Sequence, residues 1–288
     1  MTAKSRPPIT VPDILKRKSG REKISALTAY DFPTAKILDN AGIDLILVGD
    51  SLGMVVLGYS NTIPVTMDVM IHHTQAVSRG AQRALVIGDM PFFSCNVSLE
   101  EAKKNACRFI QEGGAGGVKI EGSSPRRLEL IASLVEADIP VMGHVGLTPQ
   151  SIHHLGRFQV IGKNPREARE ILAQARDLER GGVFAVVLEC IPREIAAEVT
   201  KKLNIPTIGI GAGPHCDGQI LVFHDLAGYS HGYLPKFVKQ YARLNDVIEE
   251  AAQNYIQDVK NGVFPEDKHS YHLKNPGRLG EFFNHEKE

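Results

Sequence analysis

GVKIEG, residues 117–122, alternates Val118 and Ile120 with Lys119 and Glu121 and closes on a glycine. In an extended chain, Lys119 and Glu121 point to the same side. An apolar strand ending in an ionisable residue beside Gly places that side chain at the C-terminal mouth of a parallel barrel. In such barrels the catalytic groups come from the strand ends. The same form recurs along the chain. Upstream are LILVGDS (45–51) and ALVIGDMP (84–91); downstream are VMGHVG (141–146) and FAVVLEC (184–190). Successive members lie about 25 to 45 residues apart, the length of a βα unit of ~30 residues or more.

Eight runs rich in Val, Ile and Leu are candidate strands: 24–30, 44–50, 84–91, 117–121, 140–145, 184–189, 206–211 and 220–224. Most are apolar throughout, the pattern of a parallel strand buried on both faces. Helical periodicity fills the intervals. One helix is expected from Thr66 to Arg79, and Ser98 with Glu101 forms a capping box for a second. Ser124-Pro125 opens a third, and Asn164-Pro165 opens a fourth that runs through Arg180 to Gly181-Gly182. This alternation predicts a (β/α)8 TIM barrel, with an open doubly wound sheet as runner-up. An open-sheet nucleotide-binding protein calls for GxGxxG after its first strand, where this chain has DFPTAK (31–36). No linker or composition shift divides the 288 residues, so a single barrel domain is expected, with a short N-terminal extension. After Asn245 comes a helical pattern, then a polar tail from Pro265, expected to be partly disordered or packed on a neighbouring subunit.

Composition narrows the function classes. Lys plus Arg equals Asp plus Glu at 33 each, leaving no field to gather nucleic acid or a membrane surface. No apolar stretch approaches the ~20 residues of a membrane span. The four cysteines show no CxxC spacing, and the basic N-terminus lacks the apolar core of a secretory signal. A cytoplasmic protein is expected.

The strand ends carry the chemistry. Asp50 and Asp89 alone would pass as helix N-caps, but Glu121 and Glu189 would not, because Glu caps poorly. Four carboxylates at one mouth repel unless a cation or a proton compensates. Hard oxygen ligands without Cys suit Mg²⁺ better than Zn²⁺. Lys119 among them reads either as a binder of an anionic substrate group or as a structural ion pair. His144 reads as a ligand, a hydrogen-bond donor or a satisfied core residue. The pairs His72-His73 and His153-His154 are expected at the surface or an interface. His215-Cys216-Asp217 has a metal-like composition, but adjacent residues share a metal poorly. The glycines of GIGAG (209–213) read as close packing or substrate access.

Read together, these blocks resemble the ketopantoate hydroxymethyltransferases, a family of the phosphoenolpyruvate/pyruvate-type barrel superfamily. The matching motifs are TAYD (28–31), VGDSLGM (48–54), DMPF (89–92), VKIEG (118–122), GHVGLTPQS (143–151), VLEC (187–190), IGIGAG (208–213) and DGQILV (217–222). HDLAG (224–228) and PKF (235–237) follow, so that the likeness spans about residues 20 to 272. The resemblance implies one Mg²⁺ per subunit near Asp50, Asp89 and Glu121. It implies that Ser51, Lys119 and His144, bordered by Asp50 and Asp89, hold a 2-oxo acid, with Glu189 as general base. It also implies 5,10-methylenetetrahydrofolate as co-substrate and a homo-oligomer, a decamer built as a pentamer of dimers. Lyases and mutases of the same superfamily usually carry a KKCGH-type reactive cysteine on a mobile loop, and this chain has none. A non-catalytic barrel would be expected to lose some of the ionisable strand-end set.

Overall fold

The computed structural model describes residues 7–283. The chain divides into two compact units, Met1–Tyr241 and Ala242–Glu288. The first holds a closed barrel of eight parallel strands in sequential order. The strands are β1 Ile24–Thr28, β2 Leu45–Val48, β3 Leu85–Asp89, β4 Val118–Glu121, β5 Val141–Gly146, β6 Ala185–Glu189, β7 Thr207–Ile210 and β8 Gly218–Leu221.

Because the sheet is closed, each strand has an inner and an outer face, and the β2 residues divide between them. Leu45 and Leu47 join Ile24, Ile87, Met142, Val187, Ile208 and Ile220 in an inner cluster. Ile46 and Val48 join Phe109, Leu130, Leu134, Leu178 and Val199 in an outer one, between sheet and helices. Both faces exclude water, which is why the strands read as continuous apolar runs.

Helix α1 (Val11–Gly20) precedes β1, and Phe32–Ala41 (α2) follows it. Met67–Gly80 (α3), Leu99–Gln111 (α4), Pro125–Glu136 (α5), Pro165–Arg180 (α6) and Arg193–Lys202 (α7) make the next crossovers. Thr66, Ser98, Ser124 and Asn164 each accept a hydrogen bond from a first-turn N–H, so the expected helix starts hold. The regular alternation stops after β7. No helix separates β7 from β8; residues 211–217 connect them directly. The expected strand 220–224 is instead Gly218–Leu221, since Gly218 and Gln219 pair with both Ile24–Ser25 and Ile208–Gly209.

The N-terminal extension is part of the barrel's packing. Ile14 of α1 is fully buried in the inner cluster, and Arg17 reaches Asp44 at 2.8 Å. Asp44 also accepts from the Ser25 N–H at 2.9 Å and the Ser25 hydroxyl at 2.7 Å. Burial alone would raise the pKa of Asp44, but the Ser25 donors and the Arg17 guanidinium outweigh it and hold it below the ordinary value. A depressed folded pKa contributes stability that is present above the unfolded value and lost as pH falls through the folded one. Asp44→Asn should therefore destabilise the protein by about 2–3 kcal/mol at pH 7. Urea unfolding at pH 7 and pH 3 checks this, because the gap should shrink at pH 3. An equal gap at both would rule out the charge as its source.

Within the second unit, helix Leu244–Lys260 realises the expected pattern after Asn245. Its apolar residues Val247, Ile248, Tyr255, Ile256 and Val259 are exposed. The described part of the polar tail holds two short 3-10 turns, Asp267–His269 and Pro276–Arg278, and a final turn of helix, Leu279–Phe283.

Candidate active site

All seven residues singled out at the strand ends line one cavity of about 100 Å³ at the C-terminal mouth of the barrel. Asp50 and Ser51 follow β2; Asp89 ends β3; Lys119 and Glu121 lie on β4; His144 on β5; Glu189 ends β6. Leu47, Val187, Ile210 and Ile220 border the same space. A charged rim thus stands over an apolar floor.

Lys119 Nζ donates to both oxygens of Asp89, at 2.8 and 3.0 Å, and lies 3.6 Å from Glu121 Oε1. It is therefore ion-paired and inside the candidate site at once. Burial opposes its charge, but the carboxylates of Asp89, Glu121 and Asp50 outweigh burial and raise its pKa above the ordinary lysine value. Burial raises the pKa of Asp50 well above the carboxylate range, and the charges of Asp89 and Glu121 add to the effect. Asp89 is raised mainly by burial, against the pull of Lys119. Glu121 moves the other way, because Lys119 and His144 overcome its burial.

His144 is buried between two carboxylates. Its Nδ1 is 3.5 Å from Glu121 Oε1, and its Nε2 is 3.3 Å from Glu189 Oε2. Neither contact is aligned as a full hydrogen bond. Burial and Lys119 lower its pKa, but the two carboxylates prevail and raise it to about 9.

The backbone around Glu189 is fixed from both sides. Its carbonyl accepts from Leu147 N at 2.9 Å, and the Cys190 N–H reaches Ile210 O at 2.9 Å. Cys190 takes a left-handed φ of 48° as the chain leaves the strand.

Three contributors carry no obvious mark in the sequence. Tyr30 is buried just after β1, and its hydroxyl is 2.8 Å from Ser51 Oγ, which sets that hydroxyl's direction. Thr28 lines the cavity and accepts from Phe223 N at 3.0 Å. Gln150 reaches Asp50 from the loop after β5. All three fall inside matched motifs, Thr28 and Tyr30 in TAYD and Gln150 in GHVGLTPQS, but an uncharged group on a loop or strand end shows no periodicity.

Among the described residues, no three His, Cys, Asp or Glu side chains are gathered closely enough to hold a metal by themselves. His215, Cys216 and Asp217 diverge. His215 meets Arg193, Cys216 is buried, and Asp217 binds Lys18 and Thr207. At the mouth, Glu121 Oε1 is buried without a hydrogen-bond partner, beside the high-pKa Asp50. That donor set fits a hard cation such as Mg²⁺, which takes one or two carboxylates and fills its other positions with water and substrate oxygens. Asp50, Asp89 and Glu121 are the residues that would hold it. No helix among the described residues is long and apolar enough to cross a membrane. His72 is exposed and His73 Nδ1 lies 2.6 Å from Tyr30 O; His153 is exposed, and the side chain of His154 lies outside the described set.

Comparison with known proteins places the chain in a family. Residues 8–267 match the family model described as ketopantoate hydroxymethyltransferase. A relative from Thermoanaerobacter sp. (strain X514), named 3-methyl-2-oxobutanoate hydroxymethyltransferase, is 56% identical over 258 residues, 90% of this chain and 93% of its own. One of the same name from Syntrophomonas wolfei is 52% identical, over 92% of this chain and 96% of its own. Among solved structures, a phosphonopyruvate hydrolase complexed with oxalate and Mg²⁺ superposes with a TM-score of 0.60 at 12% identity, covering 96% of each chain. A 2,3-dimethylmalate lyase of the PEP mutase/isocitrate lyase superfamily gives 0.60 at 17%, again covering 96% of each. At those identities the structural likeness speaks for the fold alone. The family match spans nearly the whole barrel at high identity, and the chain belongs to the ketopantoate hydroxymethyltransferase family.

Proposed function

We propose that this enzyme transfers a hydroxymethyl group from 5,10-methylenetetrahydrofolate to 3-methyl-2-oxobutanoate, giving 2-dehydropantoate. The observation that carries the reading is one small cavity lined by Lys119, His144, four carboxylates and an apolar floor, in a member of this family. Overall, a C3–H bond breaks, a C3–C bond forms to the donor's methylene, water supplies the hydroxyl, and tetrahydrofolate leaves.

Lys119 and the Tyr30-held Ser51 hydroxyl bind the substrate carboxylate. His144, largely an imidazolium at neutral pH because its pKa is raised to about 9, donates to the keto oxygen. Leu47, Val187, Ile210 and Ile220 take the branched apolar end and exclude water around it. As a carboxylate, Glu189 accepts the C3 proton. One Mg²⁺ per subunit, near Asp50, Asp89 and Glu121, would supply Lewis-acid stabilisation of the enolate oxygen. Assembly as a pentamer of dimers and a cytoplasmic location belong to the same proposal.

Proton NMR of 3-methyl-2-oxobutanoate in D₂O, with enzyme but no folate, tests the first step. The C3 proton signal should disappear when Mg²⁺ is added and persist without it. Absence of exchange both before and after adding 5,10-methylenetetrahydrofolate, with no 2-dehydropantoate formed, would overturn the reading.

A further inference from the structure

Gln150 occupies a position that the proposed chemistry does not use. It lies in the short 3-10 turn Pro149–Ser151 that follows β5. Its side-chain amide donates to Asp50 Oδ2 at 2.9 Å and to Met90 O at 2.9 Å. The Met90 carbonyl can only accept, so the NH₂ end of the amide must face it and the neighbouring Asp50 Oδ2. The backbone N–H of Gln150 donates to Glu121 Oε2 at 3.3 Å. One residue from the β5 loop therefore touches the ends of β2, β3 and β4.

The effect on the carboxylates is directional. Gln150 takes one oxygen of Asp50 and one of Glu121. The second oxygen of Glu121 is left buried with no hydrogen-bond partner. A carboxylate anchored through one oxygen presents the other at a fixed angle, which is how groups behind metal ligands set affinity. Lys119 cannot do the same for Asp50, because its hydrogen bonds go to Asp89.

We propose that Gln150 is a positioning residue whose side-chain amide fixes Asp50 for a divalent cation, beside the Glu121 that its backbone N–H holds. This rests on the cation reading given above. The remainder of its turn has a separate, purely local bond, from Thr148 Oγ1 to Ser151 Oγ at 3.0 Å. That separation supplies the control.

The test is Mn²⁺ binding to the full chain, followed by electron paramagnetic resonance of the free ion, with no substrate present. Gln150→Met keeps the length of the side chain and removes both donors. It should raise the Mn²⁺ dissociation constant by about 10- to 100-fold, the usual effect of removing a group behind a metal ligand. Ser151→Ala should leave the constant within about threefold of the parent, since a factor of three is under ~0.7 kcal/mol. A metal-free thermal melt reports folding separately. Should Gln150→Met fail to fold, Gln150→Asn, whose amide is withdrawn by one methylene, is read in the same way. A Gln150 variant that folds and binds Mn²⁺ as tightly as the parent overturns the proposal. So does equal weakening by Ser151→Ala, which would assign the effect to the loop as a whole. Failure of the parent to bind Mn²⁺ would overturn both this proposal and the cation reading beneath it.

Discussion

Glu189→Gln should lower kcat by about 10²- to 10⁴-fold, the range assigned to a positioned general base. The amide has nearly the same shape but cannot accept the C3 proton. Binding should survive, because the groups proposed to hold the 2-oxo acid stand on other strands: Lys119 on β4, His144 on β5 and Ser51 after β2. One electrostatic consequence is built in. Glu189 is one of the two carboxylates that raise the His144 pKa, 3.3 Å from its Nε2, so that pKa should fall in the variant. The measurement is paired: deuterium exchange at C3 and Mg²⁺-dependent binding of 3-methyl-2-oxobutanoate in the same preparation. Loss of exchange with binding retained assigns the proton to Glu189. An equal loss of both would remove it from that role, since an interaction lost equally in ground and transition states is not catalytic.

The barrel was legible because its strands are apolar on both faces, a property that belongs to buried parallel sheets. The same property hid which residues face inward. Nothing in LILV (45–48) separates Leu45 and Leu47, on the inside, from Ile46 and Val48, on the outside. Only where charge enters does the direction show, as with Lys119 and Glu121, and this is why the site was easier to read than the core around it. Strand β8 was misplaced because Gly218 and Gln219 contribute backbone hydrogen bonds and little apolar weight. Helix α1 reads as a polar extension because Lys16, Arg17 and Lys18 surround its buried Ile14. Gln150 has neither charge nor period, and its role exists only once three other strand ends have been brought within its reach.

Gly146→Ala should be as damaging as a direct change to the site, although Gly146 offers no side chain to any substrate. It pairs with Glu189 across β5 and β6 and has a φ of +98°, a region that L side chains rarely adopt. An added Cβ would stand 2.2 Å from the Glu189 carbonyl oxygen and 2.8 Å from Ile191 Cγ2. The first neighbour is backbone, held by Leu147 N at 2.9 Å, so the strain cannot be relieved by turning a side chain. Relief must come from moving the Glu189 peptide outward by about 1 Å, a displacement that can cost about 10²-fold in rate. The unfavourable φ adds about 1–3 kcal/mol against folding. The expected pattern is a lower melting temperature and a kcat down by about 10²-fold. A kcat within about threefold of the parent, under ~0.7 kcal/mol in barrier, would show that the placement of Glu189 tolerates a shift the geometry says it should not.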